Sequence, residues 1–307
     1  MAVVFSFSGH ETFPLRFSWL TKAVEFVQSN PRILNADEAI AEFGVGRNMV
    51  RAIKHWGQAT GVLELDTEER GAVRVTPLGL FLFGQEGVDP YCEDTATLWL
   101  LHWQLCRTAE RSTLWHFLFG YWRGGAIDML GLQPVLEKWL DDREGQMPSP
   151  STLKRDLLCL ANTYVAQQRK GQDLEEAAGC PLASLGLLYD NGGALYLREG
   201  RQHGLAPELF AYAVLDYWDR IAPETETLAV QEVLERRASP GQVLLLGEEQ
   251  AFELVSQVEA FDRPPFRFDS TAGLQQLYRT SKVAPEDMLD RYYRSALMLH
   301  SDDVTTV

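Results

Sequence analysis

The first polar segment of the chain holds the densest collection of side chains that could do chemistry. Residues 6–16, SFSGHETFPLR, place three hydroxyls, an imidazole, a carboxylate and a guanidinium around a glycine. Phosphodiester cleavage needs these types, because one group must activate or position a nucleophile and a cation must meet the charge that develops on phosphate. We therefore predict a catalytic role for His10, Glu11 and Arg16. The alternative is structural, with His10 forming a turn and Arg16 pairing with Glu11.

A histidine or glutamate in this segment could also share a divalent metal ion with a distant carboxylate. We expect Mg²⁺ or Mn²⁺ as the cofactor and leave its ligands unassigned. Glu93 and Asp94 form a second acidic pair, but an aspartate just before a helical pattern more often caps the helix. That pair is therefore a weaker candidate for the metal site.

The segments that follow predict the elements that position this chemistry. Apolar residues of 17–27 recur at helical spacing, a second short helix over 37–43 stops at Gly44, and GVGRNMVRAIKHWGQATG predicts a third helix. Two short strands, VLELD and AVRV, follow around a polar turn. This order is typical of a winged helix-turn-helix, whose third helix reads DNA.

The third helix is predicted to be amphipathic, with apolar residues on one face and basic residues on the other. We predict that its exposed face binds double-stranded DNA through four side chains: Arg47, Asn48, Arg51 and Lys54. The alternative is a small helical domain that docks proteins and carries a few surface arginines.

The remainder of the chain predicts a mainly α fold with short β-hairpins. Segments 96–106 and 112–122 are apolar and aromatic all round, which is typical of buried core helices. His102 and His116 within them are interpreted as core histidines. We predict three domains: a winged-helix-like domain with the polar opening motif over 1–86, a helical core over 87–180, and a small α+β module over 181–307. No internal repeat is predicted.

The formal net charge of −15 argues against broad nucleic-acid affinity, since phosphate binding relies on lysine and arginine. The charge is unevenly distributed, however. Residues 1–84 hold eight basic and nine acidic side chains, whereas residues 85–307 hold 20 basic and 34 acidic ones. A local basic face on an acidic protein can still touch DNA, while the acidic remainder repels non-specific contact or faces a basic partner.

Several classes of protein find no support in the sequence. It contains no phosphate-binding loop of the P-loop type, no dinucleotide fingerprint, no H-E-x-x-H and no G-x-S-x-G. The four cysteines lie far apart without zinc-ligand spacing, which favours a reducing compartment. No apolar run could span a bilayer and no signal peptide is predicted, so we expect a cytoplasmic protein with no membrane partner.

Several motifs are similar to those of a known family. The segments FSGHETFPLR (7–16), GVGRNMVRAIKHW (44–56), DPYCEDTATLWLLHW (89–103), STLKRDLLCLANTY (151–164) and DSTAGLQQ (269–276) carry the similarity. The chain resembles an uncharacterised bacterial family, marked by the GHETF motif, that occurs beside DNA phosphorothioation genes and includes SspB-type DNA nickases. The likeness covers nearly the full chain.

The resemblance implies an anti-phage defence protein that cuts one DNA strand so that sulfur can be introduced into the backbone. It implies as partners a cysteine desulfurase, an ATP-pyrophosphatase-type enzyme and an ATPase. No catalytic residue is carried over from the family, so the assignment of His10, Glu11 and Arg16 rests on their chemistry. Two other functions stay open: a non-catalytic winged-helix adaptor that recruits the sulfur-transfer machinery, and a transcriptional regulator that senses a ligand.

Overall fold

The structure, a computed structural model, describes residues 4–35, 37–165, 179–271 and 273–303, with the side chains of the last eight left out. The chain forms two compact units, Met1–Arg198 and Glu199–Val307. Both are built mainly from α-helices with small antiparallel sheets, which confirms the predicted fold class. The predicted three-part division at 86 and 180 uses different boundaries from these two units and stays a prediction.

The first unit opens with three helices and a hairpin. Their bounds are α1 Phe17–Ser29, α2 Glu38–Phe43, α3 Arg47–Ala59, β1 Leu63–Leu65 and β2 Val73–Val75. Helix α2 ends because Gly44 takes a left-handed conformation with φ +65°, which glycine adopts without strain. The Val73 N–H donates to the Pro31 carbonyl at 3.0 Å and so ties the hairpin to the segment after α1. The predicted order of elements is present, and the winged-helix assignment itself stays a prediction.

The rest of the first unit is a helical core with one more hairpin. Its elements are α4 Pro77–Phe83, α5 Thr95–Cys106, α6 Thr113–Tyr121, α7 Met129–Asp141, α8 Pro150–Tyr164, β3 Leu188–Asn191 and β4 Ala194–Leu197. Nearly every residue of α5 and α6 is buried, as their uniform hydrophobicity predicts. Asp94 caps α5 by accepting from the Ala96 N–H at 2.8 Å. Ser149 caps α8, since its side chain accepts from the Thr152 N–H. The sequence predicts that helix from Thr152 to Gln168 with Ser151 as its cap, and residues 166–168 lie outside the described ranges.

The two histidines of the core helices are held by hydrogen bonds. His102 Nδ1 lies 2.7 Å from the Tyr164 hydroxyl, and His116 Nδ1 lies 2.6 Å from the Cys106 carbonyl oxygen. All four cysteines are buried and free, and burial raises the pKa of each thiol. Such thiols are inert, because the thiolate is the reactive form.

The second unit contains five helices and a three-stranded sheet among its described residues. They are α9 Pro207–Ile221, β5 Thr227–Ala229, α10 Val230–Leu234, α11 Pro240–Val243, α12 Glu248–Glu259, β6 Phe266–Thr271, β7 Leu274–Arg279 and α13 Pro285–Asp303. The sheet is antiparallel, with β7 between β5 and β6. The sequence predicts one helix over 227–237, which is wrong at both ends, because the helix covers only Val230–Leu234. Residues 227–229 form a strand there, because they pair with residues 276–278 of β7.

The two units repeat one order of elements, although the sequence predicts no repeat. In each, a long helix is followed by short helical turns, an amphipathic helix and a hairpin, and the second unit adds a strand, β5, after the long helix. The amphipathic helices differ in charge. Helix α3 carries three basic residues and no acidic one, whereas α12 carries four glutamates and no basic residue. No helix of the described residues is long and apolar enough to cross a membrane.

Candidate functional site

The polar opening motif forms a tight loop over residues 8–13 that lies against the helical core. Before the loop, the Ser6 N–H donates to Thr113 Oγ1 at 2.7 Å at the start of α6. After it, Trp56 Nε1 of α3 donates to the Phe13 carbonyl at 2.9 Å. Two successive turns close between these anchors, Glu11 N–H to Ser8 O and Phe13 N–H to His10 O. The loop is therefore fixed at both ends by elements distant in sequence.

A buried carboxylate on α8 holds the centre of the loop. Asp156 is 1% exposed, and both of its oxygens accept from the Ser8 N–H at 3.0 Å. Its Oδ1 also accepts from Ser8 Oγ at 3.0 Å and contacts His10 Nε2 at 3.2 Å. Burying a charge is costly unless hydrogen bonds compensate it, so these donors and the carboxylate depend on one another. Asp156 was expected on the polar side of α8, beside Lys154 and Arg155.

His10 is buried, and both nitrogens of its ring form hydrogen bonds. It is 1% exposed, and its Nδ1 accepts from the Thr12 N–H at 3.1 Å. The network therefore assigns the ring proton to Nε2, which donates to Asp156. In a catalytic serine–histidine–aspartate relay the histidine lies between the other two side chains. Here the aspartate lies between Ser8 and His10, so the arrangement shapes the loop rather than activating the serine. The predicted catalytic role of His10 is untested by this geometry.

Three residues of the loop take left-handed backbone conformations that only glycine adopts without cost. The φ angles are +60° at Ser8, +49° at Glu11 and +73° at Thr12. Each such conformation costs about 1–3 kcal/mol and persists only where the surroundings enforce it. Seven non-glycine residues of the described chain have a positive φ, and three of them lie within residues 8–12. Concentrated strain of this kind is typical of functional loops.

Gly9 lets the loop approach α3 closely at His55. A Cβ atom at position 9 would lie 2.3 Å from His55 Nδ1. The His55 ring packs on those of His10 and Trp56, with centroids 5.8 and 5.5 Å away. Burial, followed by the charges of His10 and Arg111, lowers the pKa of His55 to about 3. The residue as a whole is half-buried, but its Nε2 atom is inaccessible and has no hydrogen-bond partner among the described residues. His55 is therefore neutral at physiological pH.

An ion pair joins the loop to the predicted DNA-binding face. Glu11 Oε1 lies 3.5 Å from Arg51 on α3, and the two side chains are 35% and 59% exposed. The structure thus brings a predicted catalytic residue and a predicted DNA-binding residue together on one surface. Arg16 stands just before α1, with its guanidinium 5.5 Å from the centre of the Trp19 ring.

The other predicted DNA-binding residues lie along the exposed side of α3. Arg47 pairs with Asp37 at 3.0 Å, Asn48 is exposed, and Lys54 Nζ donates to Asn35 Oδ1 at 2.7 Å. Partial burial and then the charge of Arg111 lower the pKa of Lys54.

Sequence reasoning missed Arg111, whose guanidinium donates to Gln58 Oε1 of α3 at 3.0 Å. It lies 53 positions beyond Gln58 and just before α6, so helical spacing gave no signal for it.

The expected divalent cation does not fit the described residues. Mg²⁺ takes oxygen ligands, but the described residues contain no group of three or more His, Cys, Asp or Glu side chains able to hold a metal ion. Asp156 already accepts several hydrogen bonds, and Glu11 is paired with Arg51. The buried atoms near the loop that lack partners are nitrogens: His55 Nε2, Gln58 Nε2 and Trp115 Nε1. This donor set does not suit Mg²⁺, and no chemical step is derived through it.

The fold and the site define a mainly helical protein in which a strained polar loop is clamped onto a basic helix. A family model described as a protein of unknown function, DUF4007, matches residues 7–293, and the chain belongs to this family. Comparison with curated proteins finds no match.

Two solved structures are similar over most of the chain. A crystal structure of magnesium ion-bound SspB is 27% identical, with a TM-score of 0.85. A crystal structure of SspB is 28% identical, with a TM-score of 0.83. Each alignment covers 95% of this chain and 89% of the other.

Proposed function

We propose that this protein is the DNA-nicking component of a bacterial phosphorothioation system, cutting one strand of double-stranded DNA so that sulfur can enter the backbone. The observation that carries the proposal is the ion pair between Glu11 and Arg51, which makes the loop and the basic helix one surface. A strained loop of polar side chains beside an exposed basic helix places reactive groups next to cations that can hold a phosphodiester.

The family resemblance and the similarity to SspB support the same proposal. On this view the protein works in the cytoplasm beside a cysteine desulfurase, an ATP-pyrophosphatase-type enzyme and an ATPase. The magnesium ion in one SspB structure makes Mg²⁺ the first cation to test, although the described residues offer no preformed site for it.

The roles follow from where the side chains lie. The duplex lies along α3, contacting Arg47, Asn48, Arg51 and Lys54. A phosphate that approaches Arg51 competes with Glu11 for the guanidinium and so releases the carboxylate. Glu11 then accepts a proton from the attacking water as a new P–O bond forms. The P–O bond to the leaving strand breaks, its electron pair stays on the oxygen of that strand, and this oxygen takes a proton from solvent. Arg16 offsets charge on the phosphate, and His10 holds the loop in place.

A non-catalytic adaptor is the second candidate. It is favoured by the lack of a metal-ligating group among the described residues. It is also favoured because both ring nitrogens of His10 are already hydrogen-bonded within the protein. In this case the loop is a rigid part of a DNA-binding surface, and another protein cuts the strand.

A plasmid-nicking time course separates the two candidates. Supercoiled plasmid is incubated with and without Mg²⁺ or Mn²⁺, using separately purified wild type, Glu11→Gln, His10→Ala and Arg51→Ala. Glu64→Gln is the matched control, because Glu64 pairs with Arg74 on the hairpin at 2.8 Å. We expect open-circle product from wild type and the control, at least about 100-fold slower nicking by Glu11→Gln, and weaker DNA binding by Arg51→Ala.

Two results of this experiment would count against nicking. Equal rates from all variants would place the active site elsewhere or indicate a contaminant. DNA binding without nicking in any preparation would favour the adaptor.

A further inference from the structure

Two cations on the α3 surface are held by neutral partners. Lys54 donates to the side-chain oxygen of Asn35 at 2.7 Å, and Arg111 donates to that of Gln58 at 3.0 Å. Lys54 and Gln58 are one helical turn apart and therefore lie on the same face of α3. Within the described ranges, no carboxylate forms an ion pair with either cation.

The other basic residues of α3 differ in this respect. Arg47 is paired with Asp37 and Arg51 with Glu11, so a phosphate that binds either of them competes with a carboxylate. At Lys54 and Arg111 a phosphate would displace only an amide oxygen. The least expensive place for an anion on this surface is therefore the end of α3 beside Arg111.

Electrostatics points to the same place. Arg111 lies close enough to lower the pKa values of both Lys54 and His55, so like charges are gathered there. Both cationic side chains are half-buried, which increases the cost of leaving them together. The buried Gln58 Nε2 beside Arg111 lacks a hydrogen-bond partner among the described residues.

We propose that Lys54 and Arg111 form a binding site for one phosphate group. The group is either a phosphodiester of the DNA backbone or free inorganic phosphate, since both present the same oxygens. Binding of a DNA phosphate at this site rests on the proposed function, whereas binding of free inorganic phosphate does not.

The test uses the full chain and two measurements. Anisotropy of two fluorescent duplexes of unrelated sequence gives affinity across a salt series for wild type, Lys54→Gln, Arg111→Gln and the double variant. Lys138→Gln and Arg198→Gln are matched controls that remove one charge elsewhere in the first unit. Arg111→Lys tests whether charge alone suffices. Thermal unfolding is followed in inorganic phosphate and in chloride of equal ionic strength, and the chloride curves check that each variant folds.

For a DNA phosphate we expect each single variant to bind both duplexes roughly tenfold more weakly, with a salt slope about one unit shallower. The controls should bind like wild type, and Arg111→Lys should keep most of the affinity. For free phosphate we expect wild type to gain about 2–4 °C in phosphate over chloride and the double variant to gain nothing. Unchanged DNA affinity together with no phosphate-dependent gain in wild type would overturn the proposal. A wild type that binds no DNA but is stabilised by phosphate through these residues would remove the DNA function and keep the site.

Discussion

At the scale of single residues, the buried carboxylate of Asp156 carries the main electrostatic cost of the loop. Asp156 is buried and forms no ion pair with a lysine or arginine of the described residues, and donors from Ser8 and His10 surround it. The carboxylate therefore fixes the backbone of the loop and the tautomer of His10 together. This makes Asp156 the residue through which the position of Glu11 is controlled.

We expect Asp156→Asn to lower the free energy of unfolding by about 2–3 kcal/mol, because one oxygen becomes an N–H₂ group that faces other donors. Asp128→Asn is the matched control, since Asp128 caps α7 by accepting from the Gly131 N–H and asparagine caps equally well. It should change stability by less than about 0.5 kcal/mol. Urea unfolding of the full chain measures both, and equal losses in the two variants would contradict the role of Asp156.

The residues of the site were only partly predictable. The sequence identifies the polar loop and the basic side of α3 because each is contiguous or follows helical spacing. Asp156, His55 and Arg111 were missed as parts of the site, since tertiary packing alone brings Asp156 and Arg111 to it and nothing in its spacing marked His55. The pairing of Glu11 with Arg51 was likewise invisible, although each residue was singled out separately.

At the scale of elements, the seating of the loop on α3 depends on the absence of one methyl group. Gly9 lies against His55, whose ring is packed between His10 and Trp56. The His55 ring cannot move away from a larger residue 9 without disturbing the core beneath the loop, because protein interiors are closely packed. The contact between the loop and the helix is therefore set by the size of residue 9.

We expect Gly9→Ala to destabilise the protein by about 1–3 kcal/mol through overpacking. The double variant Gly9→Ala/His55→Ala should lose clearly less than the sum of its two single variants, since the smaller residue 55 leaves room for the new Cβ. Gly46→Ala is the control, because a Cβ there meets nothing within 4 Å. Thermal and urea unfolding give the comparison, and strictly additive losses would show that the clash is not what Gly9 avoids.

The sequence pattern predicts a helix or strand well where neighbouring residues stabilise it, and poorly where residues distant in sequence do so. Helices α1 to α3 and the first hairpin follow from periodicity, glycine and turn residues. The strand over 227–229 does not, because pairing with residues about 50 positions later overrides a helical pattern.

At the scale of the whole molecule, a basic patch acts within an acidic protein. The net charge is −15, yet four cations gather around α3: Arg47, Arg51, Lys54 and Arg111. The corresponding helix of the second unit, α12, carries only acidic charge. DNA binding by this protein should therefore involve few phosphate contacts.

We expect the logarithm of the DNA-binding constant to fall with the logarithm of salt concentration with a slope of about −3 to −4, as four phosphate contacts imply. Anisotropy titrations between about 50 and 300 mM salt measure the slope over a range where such contacts are weakened strongly. A slope steeper than about −7 would mean that a larger surface contacts DNA. Lys138→Gln should leave the slope unchanged, because that exposed side chain lies on α7 outside the cluster.

The attachment of the loop to Asp156 also sets the order of events during synthesis. His10 and Asp156 are separated by 146 positions, so a ribosome adding roughly 5–20 residues per second needs about 7–30 s to make the second after the first. For the later part of that interval, once residues 47–59 have been made, the nascent chain carries the basic helix but lacks the carboxylate that shapes the loop. If the proposed function is right, a newly made chain should be able to touch DNA before it can present Glu11 in its final position, and DNA cutting should begin only after the helical core has closed.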